Sequence, residues 1–474
     1  MSVFSITDFG AVTSDRLQTK AIQSAIDACY LSGGGRVVIP CGMFVTGGIR
    51  LRSDVELYLE SGAILRGSEN PDDYNDFWND TIQPVKDEDR DGVARSAIAT
   101  SAWCNGLIRV LDAENVTITG EKGSYIDGRN VYNPVGEENY RGPHAISVWR
   151  CKGLTLSGYT IIDSANWAHA IFQSSDITVQ NVSVYGGHDG FDIRTCDNVL
   201  VENCTFHTGD DCIAGFDNHD VTVRNCDFQS ACSVFRFGGN NVLIENCHST
   251  PSRFGFRGSI PKDQRQFSRL PTEAARHIAH NPFLYYCDFR ATLRKAPENI
   301  VIRNCHFSQA RELMRLEFTG LNRWCRQKAL KEITFENCYM GDLYYTGMLW
   351  GDAEDKVICR FKNVTFACRE NMDHVPLLVV GNVEKLLFED CTFVGFEKPI
   401  LLIGTNDMEN IEVVRSGEIE VRPATFEECI EAHPGGIALL DRGKFIFWDL
   451  KDPTKPPVEG DESLKRKLAN ISAG

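Results

Sequence analysis

Two short acidic stretches near the middle of the chain hold the side chains best suited to bond-breaking chemistry. The first reads His188-Asp189-Gly190-Phe191-Asp192-Ile193 and the second Gly209-Asp210-Asp211-Cys212-Ile213-Ala214. Convergent carboxyl groups meet the demands of glycosidic hydrolysis. One, protonated, donates to the leaving oxygen, while another, ionised, activates water or attacks the sugar. Carboxylates held close also raise one another's proton affinity, which keeps a proton available near neutral pH. A single Asp-Gly pair reads as turn chemistry. Asp189, Asp210 and Asp211 read as a catalytic set because the interval from Asp189 to Asp210 recurs in the chain around them.

That interval belongs to a repeat. A β-branched run ending in Asn-Cys appears at Asn198-Val199-Leu200-Val201-Glu202-Asn203-Cys204, at Asp220-Val221-Thr222-Val223-Arg224-Asn225-Cys226 and at Asn241-Val242-Leu243-Ile244-Glu245-Asn246-Cys247. The pattern returns before Cys305, Cys338 and Cys391, and weaker copies start at Asn115 and Asp176. Each copy alternates apolar and polar residues, so one face is inside and one outside. Strands at this interval without intervening helices exclude a βαβ fold. They fit an all-β solenoid whose coils stack about 4.8 Å apart. A leucine-rich repeat lacks support because its signature is missing, and a propeller blade needs about 40 residues. On this pattern Asp189 and Asp210 are expected to stack on neighbouring coils. The six repeat cysteines are expected as a buried column of free thiols, and the asparagines before them as a ladder of amides at a turn.

A solenoid must close its ends. Gln18 to Leu31 has Ala21, Ile22, Ala25, Ile26 and Cys29 on one helical face, and Gly33-Gly34-Gly35 stops it before the strand at Arg36-Val37-Val38-Ile39-Pro40. This is expected to be an N-terminal capping helix within a cap over about 1–35. Interruptions at about 70–105 and 251–297 are expected as loop insertions on the binding face. The expected organisation is one β-helix domain over 1–450 and a Pro- and Lys-rich tail over 451–474.

Taken together, Gly209-Asp210-Asp211-Cys212 one coil after Asp189-Gly190-Phe191-Asp192 resembles the polygalacturonases, glycoside hydrolase family 28. Asp8-Phe9-Gly10-Ala11, Ala21-Ile22-Gln23, Gly33 to Pro40 and Gly62-Ala63-Ile64-Leu65-Arg66-Gly67-Ser68 are similar to that family's cap and first coil. The resemblance spans about residues 5 to 260. It implies a right-handed parallel β-helix and hydrolysis of pectic chains with inversion. By position it makes Asp189 and Asp211 the water-activating bases and Asp210 the general acid. The chain departs from the family's pattern in three places. Gly187-His188 stands where Asn-Thr precedes the first Asp. Ala231-Cys232-Ser233 replaces Gly-His-Gly, and Arg257-Gly258-Ser259 replaces Arg-Ile-Lys, so Arg257 is retained and the Lys is not.

Further substrate-binding candidates are His188, Arg194, Arg236, Trp167 and His169. Arg194 and Arg236, two coils apart, either line a groove beside the aspartates or solvate another face. Trp167 and His169 either offer a platform to a sugar ring or belong to the core. Cys232 reads as packing, since no base partner is evident.

The formal net charge of −16 disfavours nucleic acid and anionic membrane as partners. It disfavours a polyanionic substrate unless the groove is locally basic. No Cys-x-x-Cys pair or histidine cluster suggests a metal, and no cofactor is expected. The start lacks a secretory pattern and no apolar run is long enough for a bilayer, so a cytoplasmic location is expected. With that location goes an exo-acting or oligosaccharide-trimming role on imported fragments. Two other functions fit the same residues. One is a β-helical lyase or epimerase that holds Ca²⁺ against a uronate and uses Arg236 or Arg257 as base. The other is a carbohydrate-binding solenoid without turnover.

Overall fold

A computed structural model describes residues 2–74, 105–131, 142–255, 280–287, 293–317, 328–352, 354–405 and 407–424, with short stretches beyond. Most of both expected insertions, Arg257 and most of the expected tail lie outside the described residues. The fold is a right-handed parallel β-helix. Its strands fall into two compact units, Met1–Val234 with Pro251–Ile278, and Phe235–Thr250 with Ala279–Gly474.

In the first unit each coil contributes three strips. One strip includes His169–Phe172 and Phe191–Arg194, a second Ser175–Gln180 and Asp197–Glu202, and a third Ser183–Gly186, Thr205–Thr208 and Asp227–Ser230. All pair in parallel with the coil before and after. Val199 pairs with Ile177 on one side and with Val221 on the other, at equal spacing along the chain. The alternation works as read: Ile177, Val179, Val199 and Val201 point into the core, and Phe206 stacks on Phe228 at 5.7 Å. The polar residues between them face out, where Glu202 accepts from Gln180 Nε2 at 2.7 Å and from Arg224 Nε at 2.7 Å.

Two left-handed residues bracket the second strip of every regular coil. Asp176, Asn198 and Asp220 open it with φ of 57°, 55° and 56°, and Asn181, Asn203 and Asn225 close it with φ of 54°, 55° and 54°. Short polar side chains tolerate this conformation where β-branched residues do not. The second unit repeats the device with Asn241 and Asn299, then Asn304, Asn337 and Asn363. Their amides form the expected ladder: Asn337 Nδ2 donates to Asn304 Oδ1 at 3.2 Å, and Asn363 Nδ2 to Asn337 Oδ1 at 2.8 Å. Beside the ladder, Cys204, Cys226, Cys247, Cys305, Cys338 and Cys391 are buried free thiols. The neighbouring Cys226 thiol and burial push the Cys204 thiol well up.

The capping helix forms over Thr19–Leu31 with Ile22, Ala25, Ile26 and Cys29 buried. Gln23 pins it to the next coil, donating to Arg50 O at 3.0 Å and accepting from Arg50 N at 2.8 Å. One detail differs from the sequence pattern. The strand at Gly35–Ile39 is preceded by Ser2–Ser5, which pairs with it in parallel and, short and with no buried face, does not stand out in the sequence.

The ladder is testable at Asn337. Replacement by Ala is expected to destabilise by about 1–3 kcal/mol, combining left-handed strain with lost amide bonds. Asn337→Gly is expected to recover the strain part. Urea unfolding of both variants checks this; equal losses would remove the backbone explanation.

Candidate active site

The acidic residues sit where the third strip hands over to the first. Gly187 to Gly190 joins Ser183–Gly186 to Phe191–Arg194, and Gly209 to Cys212 joins Thr205–Thr208 to the strand beginning at Ile213. The backbone fixes which residues stack. Gly190 N donates to Asp211 O at 3.0 Å and Ala168 N to Asp189 O at 2.9 Å. Phe191 pairs with Ile213. Asp189 therefore stacks on Asp211, with Trp167 before them and Ser233 after. His188, Asp210 and Cys232 form the adjacent column. This corrects the expected pairing of Asp189 with Asp210. The interval between those two joins non-equivalent members of the two acidic stretches.

The Asp210 turn is clamped from within. Thr208 and Ser230 are fully buried register partners. Their hydroxyls both donate to Asp210 O, at 2.7 and 2.9 Å. Ser230 Oγ also accepts from Cys232 N at 2.9 Å. Gly209 is required by space: a Cβ there would lie 2.7 Å from both Gly187 O and Gly255 O. Asp211 is buried, and its Oδ1 accepts from Ser233 N at 3.2 Å. Asp189 and His188 are also buried, whereas Asp210 and Cys232 are partly exposed. Carboxylate oxygens of Asp210 and Asp211 and the Cys232 sulfur all lie within 4.8 Å of one another. Cys212 is interior, and burial pushes its thiol well up, as fits a packing residue.

The remaining candidates are placed differently. His169 points into the core and is fully buried. Its Nδ1 lies 2.9 Å from Gly190 O and its Nε2 3.0 Å from the Tyr159 hydroxyl. With both nitrogens engaged inside, it has nothing to offer a sugar, and the substrate-binding expectation for His169 is corrected. Burial holds its ring at a pKa of about 4. Trp167 belongs to a buried cluster with Leu111, Trp149, Ala170 and Phe172. The Arg194 guanidinium lies 4.7 Å over its ring, so Trp167 is packing and not an open platform. Arg194 neither solvates a face nor waits for an acid. It is buried and joined to Asp192 by two bonds of 2.8 and 2.9 Å. Asp192 is thus the structural residue that sequence reasoning passed over. The signal was its spacing: residues i and i+2 on a strand share a face. Arg236 belongs to the second unit, its guanidinium 4.1 Å over the Tyr286 ring. Arg257 lies outside the described residues.

A family model described as "Right handed beta helix region" matches residues 144–256. The chain is 31% identical over 258 residues to an exo-poly-alpha-D-galacturonosidase of Dickeya chrysanthemi, covering 44% of this chain and 41% of that protein. It is 30% identical over 234 residues to a mannuronan C5-epimerase of Azotobacter vinelandii, covering 44% of this chain and 22% of that one. The chain spans less than half the length of these two curated relatives. In structure it matches a family 28 exopolygalacturonase of Yersinia enterocolitica with a TM-score of 0.59 at 18% identity, covering 89% of this chain and 79% of that one.

His169 makes stability depend on pH. The unfolded chain takes up a proton there below about pH 6.5, the folded chain only below about 4. Stability is therefore full above pH 6.5 and falls as the pH drops towards 4, by roughly 3 kcal/mol. His169→Gln is expected to flatten this slope by about one proton in denaturant titrations across that range. An unchanged slope would assign the acid sensitivity elsewhere.

Proposed function

We propose that this divergent relative of the family 28 polygalacturonases is a glycoside hydrolase acting on plant-derived oligosaccharides. The observation that carries the proposal is the convergence of Asp189, Asp210 and Asp211 on two consecutive coils at one connection. Asp210 is the general acid. It is the partly exposed member, on a turn held by two buried hydroxyls, and so can meet a leaving oxygen. Asp189 and Asp211, stacked and buried, activate the water. Asp211 is oriented for this by the Ser233 N–H.

Stereochemistry discriminates among the roles. Inverting carboxyl pairs usually stand about 6.5–9.5 Å apart, to leave room for water. Asp210 and Asp211 approach within 4.8 Å. Inversion therefore rests the base role on Asp189, one coil away, more than on Asp211. Product of retained configuration would instead make Asp211 the nucleophile.

Exo action is part of the proposal, supported by the likeness to a galacturonosidase of that action. The preferred substrate is proposed to be a neutral or mixed fragment, such as one from rhamnogalacturonan, and not plain polygalacturonate. Cys232 stands where a ring nitrogen is expected and Ser259 where a Lys is expected. Of the two residues that could replace the missing cation, Arg194 already has its charge met by Asp192, and the Arg236 guanidinium lies over the Tyr286 ring. Loss of a buried charge partner from such a site costs on the order of a hundredfold in rate or affinity. A second reading, epimerase or lyase action on a uronate, is favoured by the likeness to a mannuronan epimerase.

Asp210→Asn is expected to lower kcat by about 10²–10⁴-fold with the fold intact, since proton transfer of this kind contributes that much. Unchanged turnover would remove the assignment. Rates on galacturonate oligomers and on rhamnose-containing or neutral oligomers are expected to favour the latter, with release from a chain end. A product absorbing in the ultraviolet, or an epimerised chain of unchanged length, would replace hydrolysis with the second reading.

A further inference from the structure

Most arginines of the described residues face a carboxylate, among them Arg36 on Glu56, Arg224 on Glu202, Arg303 on Glu245, Arg315 on Glu312 and Arg360 on Glu332. In a chain of net charge −16 this is the ordinary state of a cation. Arg311 and Arg369 of the second unit depart from it. The Arg311 guanidinium lies 4.2 Å over the Tyr345 ring, and that of Arg369 lies 3.8 Å over the Tyr344 ring. Among the described residues no carboxylate pairs with either.

Their placement is ordered. Arg311 lies between His306–Phe307 and Arg315–Glu317, Tyr344 and Tyr345 between Tyr339–Leu343 and Gly347–Trp350, and Arg369 between Thr365–Cys368 and Leu378–Gly381. These are three successive coils at one connection, the handover from third strip to first. The N–H groups of Tyr344 and Tyr345 both donate to Arg311 O, at 3.2 and 3.0 Å, and Arg369 N donates to Leu343 O at 2.8 Å. All four side chains are partly exposed.

We propose that Arg311, Tyr344, Tyr345 and Arg369 form a binding site for a carboxylated oligosaccharide, distinct from the three aspartates. A guanidinium takes a carboxylate through paired charge-assisted bonds. Stacking on a ring pre-orients the fork, so less freedom is lost on binding. Tyr344 offers an apolar face and a hydroxyl to the same sugar, while Tyr345, its hydroxyl buried, serves as the ring on which Arg311 rests. The two cations stand two coils apart, roughly 10 Å along the stack, which suits a ligand with acidic groups on separate sugar units. The choice of a sugar as ligand rests on the glycosidase proposal. On that view this site recognises the acidic units of the mixed oligosaccharides that the enzyme meets.

Binding is separated from turnover by working in the full chain carrying Asp210→Asn. Calorimetry with a galacturonate oligomer is expected to show a site that weakens at least tenfold in R311Q/R369Q and in Y344L/Y345L, at unchanged thermal midpoint. It is expected to weaken as salt is raised, and to ignore both a neutral galactose oligomer and inorganic phosphate. With Asp210 intact, R311Q/R369Q is expected to keep the parent rate on a short substrate. Undiminished binding in both double variants would overturn the proposal. Phosphate competing as well as the oligomer would overturn the choice of a carboxylated sugar. Loss of turnover on the short substrate would overturn the separation from the aspartates. Failure of the glycosidase proposal shows in the turnover assays and leaves the binding result unaffected.

Discussion

Everything in the regular coils depends on a backbone constraint: the chain must turn sharply at both ends of the second strip without leaving the parallel hydrogen-bond ladder. Left-handed Asn and Asp residues meet it at the same two positions coil after coil. Because they hold those positions, Val199 meets Ile177 and Val221 with no slip. In a structure whose side chains alternate between faces, the smallest slip would exchange core and solvent sides. The amide ladders are thus more than surface decoration. Asn198 Nδ2 on Asp176 Oδ1 at 3.0 Å and Asn299 Nδ2 on Asn241 Oδ1 at 3.1 Å tie each turn to its neighbour.

Register in turn makes the acidic site. No local motif brings Asp189 to Asp211; they meet because each is the same residue of its coil. The turn holding Asp210 and Asp211 is rigid for a related reason. Thr208 and Ser230 are register partners, so their hydroxyls arrive together at one carbonyl. Arg194 and Asp192 illustrate the reverse case. A cation beside the site is neutralised within its own strand, and its guanidinium organises the aromatic cluster around Trp167. Breaking one half of such a buried pair is far more damaging than the pair is stabilising, because the survivor is left uncompensated.

The solenoid, the capping helix, the cysteine column and the asparagine ladder were legible in the sequence, since each is a periodic signal with a local cause. Asp189, Asp210 and Asp211 were legible as a group for the same reason. Their stacking order was not. Copies of the repeat follow one another at slightly unequal spacing, and only hydrogen bonds decide which spacing applies at a given coil. Side-chain direction was not legible either. Trp167, His169 and Arg194 all lie near the acidic stretches in sequence, yet His169 faces inward and the other two are packed together. Ser2–Ser5 was hidden by its shortness and its lack of a buried face. The pairing of Arg311 with Tyr345, and of Arg369 with Tyr344, joins residues on different coils across interrupted repeats and leaves no trace in the linear spacing.

The buried thiols carry a consequence for how such a chain grows. In a disulfide framework every cysteine has a designated partner, and gaining or losing one strands another. Here each sulfur rests against backbone carbonyls of its own and a neighbouring coil, as Cys338 does with Glu336 O and Ile302 O and Cys391 with Glu389 O and Phe361 O. Such a column has no parity. A coil can be duplicated, deleted or lengthened by an insertion without orphaning a thiol, so repeat number is free to drift while the interior chemistry stays the same.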